Sequence, residues 1–554
     1  MAEKNTQLPF RAWIPALDIW TLGALAIAGL VLLPILSVLW IAAHPQAPIW
    51  GHLIDTTLPR YVTNTLVIML SVGTLSAMIG TGAAWLIVCY RFPGARWLQW
   101  CLLFPLAVPG YLGAYALVDF LEYAGPVQTT LRASFGWTDA RDYFFPDIRS
   151  RYGAIFALTA SLYPYVYLLA RAGFREQSGR AHEVARALGA GVFRRFWKIG
   201  LPLARPAIAA GTAIVMMETV NDFGAVDFFG VQTLTTGIFT VWLEAGNAGG
   251  AAQIACVVLA MILVLVVLEK SSRRHVRVHR MAGSDRRLEA IPLEGVWAWG
   301  ATIACIIPFL AGFVLPVGVL GHHALTRLDS WQAPGLLEAL VNTVLVGGTA
   351  ALLTVTAALF LVYGIRMSGR AGPRFVLPFT TIGYAAPGAV LALGLLIPLA
   401  AFDNKMADWV LVLTGHDPGL MITGGAAVLV FVYMVRFFAI AQGAADGAIE
   451  RISPSLPMAS RALGQGVGGT LTRVYLPLIR GSIATALLLV FVDVVKELPA
   501  TLLLRPFNFN TLATLTHEQA SLEKIADAAP SAMLIILASL AAVALLARQM
   551  VRAR

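Results

Sequence analysis

Apolar runs of membrane-span length recur along the whole chain, and they fix its fold class before any motif is considered. A hydrocarbon core about 30 Å thick needs roughly 20 helical residues at about 1.5 Å rise each. On that length the sequence gives spans near 18–42, 62–89, 98–120, 153–172, 207–228, 252–269, 296–320, 340–364, 375–401, 419–441, 482–504 and 529–547. The pattern predicts an all-α polytopic membrane protein with about twelve transmembrane helices. Charged residues make up only 13% of the chain, far below the roughly 25% of an ordinary soluble domain, which excludes a soluble fold. Pro and Gly interrupt several runs, at Pro105, Pro109-Gly110, Pro164, Pro387-Gly388 and Pro398. Membrane helices tolerate them where neighbouring helices satisfy the freed backbone groups, so these spans are read as bundled.

Orientation follows from the basic residues. Of the 40 Lys and Arg, 30 fall in the N-terminus, in 91–96, 171–205, 270–287, 366–374 and 436–480, and in the C-terminus. The alternate segments hold the rest. The positive-inside rule places the first set, and both termini, in the cytoplasm. The same rule accounts for the net charge of +10 without invoking nucleic acid, so the expected surroundings are a lipid bilayer. The polar lead MAEKNTQLPFR precedes an apolar run too long for a cleaved signal and is read as leading into a retained first span. Cys89, Cys101, Cys256 and Cys305 sit in apolar runs without paired or metal-ligand spacing, as small core hydrophobes do.

One polar stretch occurs twice. EVARALGAGVFRRFWKIGLPLARPAI covers 183–208, and MASRALGQGVGGTLTRVYLPLIRGSI covers 458–483, 275 positions later. Asn64-Thr65 recurs as Asn342-Thr343, and Pro109-Gly110 as Pro387-Gly388, at an offset of 278. The chain is therefore read as two pseudo-symmetric six-span halves, 1–270 and 296–554, joined by a charged cytoplasmic linker at 271–295. Its basic cluster suits topology marking or contact with anionic headgroups. Residues 121–152 form the main extramembrane segment on the opposite side, a docking surface for an external partner or a passive cap.

Within the first repeated stretch Val184, Leu188, Val192, Phe196 and Trp197 recur at helical spacing, and Arg186, Arg194, Arg195 and Lys198 take the remaining surface. Gly189 and Gly191 break the run and Pro202 starts a new element. Two such amphipathic pieces at equivalent places suit a two-fold partner better than a single membrane-surface helix.

The pattern E-x-A-x-x-x-G followed by L-P resembles the "EAA" loop of ATP-binding-cassette import permeases. By position the resemblance assigns Glu183, Ala185, Ala187, Gly189, Leu201 and Pro202 to the first ATPase-coupling loop, and Ala462, Gly464, Leu476 and Pro477 to the second. Met458 stands where the acid belongs, and Ser460 replaces the alanine. The segments 217–239 and 492–514 are similar to those of fused two-domain ferric-iron permeases more than to thiamine or sulfate importers. The resemblance implies two ATPase copies on the cytoplasmic side, carrying ATP and magnesium that this chain lacks. It also implies an extracytoplasmic substrate-binding protein and a bacterial inner membrane.

Four acids interrupt the apolar spans. Glu218 and Asp222, four apart, recur as Asp493 and Glu497 at the 275 offset, so each pair is expected on one helix face. Charged groups within spans are costly and usually face a bundle interior or a water-filled cavity, so these four are candidates to line a translocation path. A structural role, with Lys496 or Arg505 as ion-pair partner, or a place at the wet interface, is the alternative. Tight metal ligation would hinder release, so no metal site is assigned. The chain has no G-x-x-x-x-G-K-[ST] phosphate loop, and His182-Glu183 does not continue to H-E-x-x-H, so no catalytic set is present. A proton-coupled secondary transporter using Glu218 or Asp493 is the rival class, but it leaves the two repeated loops unexplained.

Overall fold

The computed structural model describes residues 19–45, 49–177, 179–274, 290–368 and 386–552, with positions 377, 380 and 383 between the last two ranges. The polar lead at 1–11 and most of the 271–295 linker lie outside the described residues. Among the described residues the fold is all-α apart from one two-residue parallel pairing of Tyr90–Arg91 with Ile291–Pro292. Eleven helices among the described residues are long and apolar enough to cross a membrane, and one further pair, Ala95–Ala107 and Gly110–Phe135, is bent by 95°.

That bend corrects the third span. The run 98–120 is not one helix, because the chain extends at Val108 and Pro109 (ψ 108° and 146°) before restarting at Gly110. A proline lacks the donor that would continue the ladder, and it fixes its own φ. The fifth and eleventh spans shift toward the repeated stretches. They run Phe193–Asn221 and Val467–Val495 rather than 207–228 and 482–504. Pro202 therefore does not start a separate element. A π turn at Phe196–Gly200 bonds Leu201 N–H to the Phe196 carbonyl and carries the helix on through Pro202. The turn Leu471–Tyr475 does the same before Leu476-Pro477, and Leu310–Val314 before Leu315-Pro316. A proline donates no backbone bond, so the lengthened turn before it leaves fewer groups unanswered.

The described residues divide into two compact units, which do not coincide with the sequential halves. In one (45–337 with 512–554), helices Leu58–Cys89, Arg151–Arg175 and Leu201–Asn221 form the core, and Ala248–Arg274 packs on the last of them. Helix Gly295–Phe309 and its continuation to Thr326 join this unit, with Phe104 beside Phe309 and Phe313 at 6.2 and 5.3 Å. In the other (1–44 with 338–511), helix Ile19–Ala43 packs on Gly388–Thr414, and Ala427–Glu450 on Leu476–Val495. Trp20 stacks on Phe360 at 4.9 Å. The first span of each sequential half thus packs with later spans of the other.

Candidate functional site

The two repeated stretches fold alike from equivalent residues. The first is a helix, Gly179–Ala187, closed by Gly189 at φ 78°, then a short helix Val192–Arg195 that feeds the π turn. The second is Ser455–Ala462, closed by Gly464 at φ 83°, then Val467–Thr470. Each helix end carries the same pair of bonds. Ala190 N–H reaches the Ala185 carbonyl and Gly189 N–H the Arg186 carbonyl, at 2.9 and 3.0 Å. Gln465 and Gly464 repeat this to Ser460 and Arg461, at 3.1 and 2.9 Å. This is a Schellman end, whose left-handed position suits glycine because a Cβ there is strained.

Glu183, Ala187, Gly189, Ala462, Gly464, Pro202 and Pro477 are exposed, whereas Ala185, Leu201 and Leu476 are half-buried. Beside them stand large exposed apolar side chains: Val184, Leu188, Phe193 and Trp197 in the first copy, and Leu456, Met458 and Leu463 in the second. Leu188 and Leu463, at equivalent positions, are both 82% exposed. The apolar stripe read from the sequence is thus largely displayed outward. The basic face needs one correction, because Arg195 is buried while Arg194 and Lys198 stay exposed. Arg195 belongs to the short helix Val192–Arg195, which the turn at Gly189 separates from the helix carrying Arg186, so the two do not share one helical phase.

The anchors beneath the two stretches differ. In the first, Trp85 packs against Phe196 and Phe174 at 5.3 and 5.2 Å, and a Cβ on Gly200 would lie 2.4 Å from its ring. His182 Nε2 and Gln177 Oε1 are 2.9 Å apart, and Gln177 donates to the Gly200 carbonyl at 2.9 Å. Burial, then the charge of Arg195, pushes the His182 pKa below 6.5. In the second, Tyr363 and Tyr475 occupy the places of Trp85 and Gly200, edge to face at 5.3 Å, and Tyr363 donates to the Val467 carbonyl at 2.6 Å.

The four acids do not form two helix-face pairs. The long helices end at Asn221 and Val495, so Asp222 and Glu497 lie beyond them and the four-residue spacing no longer sets a shared face. Asp222 Oδ1 accepts from Ala225 and Val226 N–H, at 3.0 and 3.2 Å, at the start of helix Gly224–Phe228. Glu497 accepts from Ala500 and Thr501 N–H, both at 3.1 Å, and from the Thr501 hydroxyl at 2.7 Å, at the start of Pro499–Leu504. Both are helix caps, satisfying N–H groups that a helix start leaves open. Glu497 also lies 3.7 Å from Arg436. Asp493 pairs with Lys496 at 2.7 Å, the partner anticipated for these acids, whereas Arg505 bonds Asn510. Glu218 is half-buried. Among the described residues no group of His, Cys, Asp and Glu could hold a metal ion.

The duplicated Pro-Gly pairs sit against these caps. A Cβ on Gly388 would come within 2.6 Å of Glu497 Oε1, and one on Gly110 within 3.4 Å of Asp222 Oδ2. The duplicated asparagines have a matching task. Asn64 donates to the Gln232 carbonyl at 2.8 Å and Asn342 to that of Asn510 at 3.0 Å, each pinning the turn that follows its capped helix. The repeat of these residues at one offset was the available signal, but their acceptors lie 168 residues further on.

Segment 121–152 is ordered around aromatic stacking. Trp137 stacks between Phe135 and Tyr143 at 4.7 and 4.8 Å, and Arg132 lies 3.9 Å over Tyr123. The backbone N–H groups of Asp139 and Thr138 hold the Asp142 carboxyl below its usual range. Phe144 projects almost fully exposed.

Residues 76–278 match a family model described as the inner membrane component of binding-protein-dependent transport systems. An Fe(3+)-transport system permease protein of Haemophilus influenzae is 25% identical over 486 residues, which cover 86% of this chain and 87% of that one. A ferric transport system permease protein of Actinobacillus pleuropneumoniae is 21% identical over 465 residues, 80% of this chain and 64% of its own. The molybdenum transport system permease protein of Escherichia coli is 27% identical over 201 residues, 35% of this chain and 84% of its own.

Proposed function

We infer that this chain, a multi-pass inner-membrane permease of the binding-protein-dependent transport family, is the membrane-spanning subunit of an ATP-driven importer whose cargo is ferric iron. The observation that carries the reading is the pair of repeated stretches, each a short helix with a left-handed glycine end and an exposed leucine at the same position. Exposed apolar groups on a defined surface mark an interaction site. Two such surfaces suit two copies of one ATPase on the cytoplasmic side, where both termini also lie. Hydrolysis of magnesium-bound ATP then belongs to that partner, and closure of its two copies would rock the spans between inward and outward access.

The iron assignment comes from the two ferric relatives, which align along most of this chain, whereas the molybdenum permease aligns with about a third. A substrate-binding protein delivers the cargo on the opposite side, where the stacked segment around Trp137 offers a docking surface. Asp222 and Glu497 position the broken helices. Glu218 and Asp493 are the acids we assign to the translocation path; Glu218→Gln with Asp493→Asn should slow iron uptake, and unchanged uptake would remove that role. The cargo test is uptake of labelled ferric iron, sulfate and thiamine by the complex reconstituted with its ATPase and binding protein. ATP-dependent iron uptake alone is expected, and uptake driven by a proton gradient in this chain by itself would overturn the importer reading.

A further inference from the structure

A cavity of about 760 Å³ opens between Pro59–Asn64, Arg149–Arg151 and the turn Phe229–Gln232. Its walls carry three arginines and no carboxylate. The charge of Arg149 is already met by Glu122 at 2.9 Å and Glu523 at 3.2 Å. Arg60 and Arg151 are held instead by neutral acceptors, Gln232 Oε1 at 3.3 Å and Asn64 Oδ1 at 3.4 Å. Both are exposed, so their positions are fixed by one bond each while most guanidinium donors still face the opening. Ser150 caps the 25-residue helix Arg151–Arg175, whose positive end adds to the same field. The side chains of Thr63 and Asn64 supply further polar groups.

The charge is particular to this copy. Helix Leu336–Ser368 repeats the Asn-Thr pair, yet carries Glu338 where Arg60 stands, and helix Ala427–Glu450 opens with Ala-Val-Leu where the other opens with Arg151. Duplication of the scaffold therefore does not explain two unneutralised arginines around one hollow.

We propose that this cavity binds a small polycarboxylate anion. Two guanidinium forks match carboxylates bidentately, and the volume falls within the roughly 300–1,000 Å³ of small-molecule sites, more than a lone oxyanion fills. On the iron reading such an anion would accompany the ferric ion, since bare cations are repelled here. That link rests on the proposed cargo, but the binding itself does not.

The test is titration calorimetry of citrate, without iron, into the full-length protein in nanodiscs at low salt. Saturable binding is expected, weakened about tenfold or more in Arg60→Gln/Arg151→Gln, retained in Arg151→Lys and unchanged in Glu338→Gln. Sulfate and phosphate should bind more weakly than citrate. Absence of saturable citrate binding, equal affinity in the double variant, or sulfate binding as tightly as citrate would overturn the proposal. So would a double variant that keeps its citrate affinity but loses productive docking of the binding protein, which would make the cavity a protein contact. Intact citrate binding in a complex that transports no iron would sink only the cargo assignment.

Discussion

The two copies of the repeated stretch share a backbone and differ in what holds it. Both close a helix on a left-handed glycine and enter a span through a π turn before Leu-Pro. Beneath the first, Trp85 fills the space over Gly200, and His182 and Gln177 tie the loop to the span. Beneath the second, two tyrosines share that volume, and a cavity of about 720 Å³ extends past Tyr475, Met458 and Arg461 to the Arg366–Asp446 ion pair. Close packing leaves little freedom for a volume change, so ring and glycine had to vary together. The caps diverged as well, since Glu497 has the half-buried Arg436 and Tyr433-bonded Thr501 beside it, while the Asp222 carboxyl takes its bonds from the backbone N–H groups of Ala225 and Val226. The backbone geometry of the repeat was kept while its polar partners were free to change.

The sharpest way to break this comparison is at the caps. Glu497→Ala removes a cap and strands Arg436, a loss of about 3–5 kcal/mol. Asp222→Ala removes a cap alone, at about 1 kcal/mol. Thermal unfolding of the two variants in the same detergent should separate them clearly, and equal midpoints would mean Arg436 does not depend on Glu497. Next in size, Gly200→Ala forces a methyl into Trp85 and should cost about 1–3 kcal/mol, recovered in part when Trp85→Tyr is added. Failure of the second change to help would show that the two sites are not volume-coupled.

A smaller effect separates the loops by pH. His182 has a folded pKa below its unfolded value of 6.5, so the unfolded loop takes up the proton first as pH falls. Its stabilising contribution is complete above 6.5 and is lost as pH falls from there through the lower folded pKa. Protection factors at 179–190, corrected for the intrinsic pH dependence of exchange, should therefore fall between pH 7.5 and about 5.5, while those at 455–465, with Pro457 in place of the histidine, stay constant. His182→Gln should abolish the difference.

Much of this was legible in the sequence. Span number and fold class follow from apolar length, which is a property of each segment alone, and the repeated stretches announce themselves by position. The packing of helix Ile19–Ala43 with Gly388–Thr414 was not legible, because apolar runs do not encode their neighbours. The caps were misread for a more local reason. Four-residue spacing implies a shared face only if the helix continues, and Gly224 and Pro499, just beyond the acids, were signs that it restarts. Arg195 was misplaced because the break at Gly189 gives its short helix a phase independent of the helix before it.

Coupling through two unequal loops is the central claim, and transport-coupled ATP hydrolysis of Gly189→Asp and Gly464→Asp in intact complexes tests it most directly. Both glycines have positive φ and open space where a Cβ would stand, so the backbone cost is about the same, roughly 1 kcal/mol, and cancels in the comparison. What remains is contact with the ATPase. Because the first loop carries Glu183, Phe193 and Trp197 on a tightly anchored base, Gly189→Asp should lower coupled hydrolysis more than Gly464→Asp. Equal loss in the two variants would contradict the asymmetry, and coupling untouched by either would contradict the assignment of these loops to the ATPase.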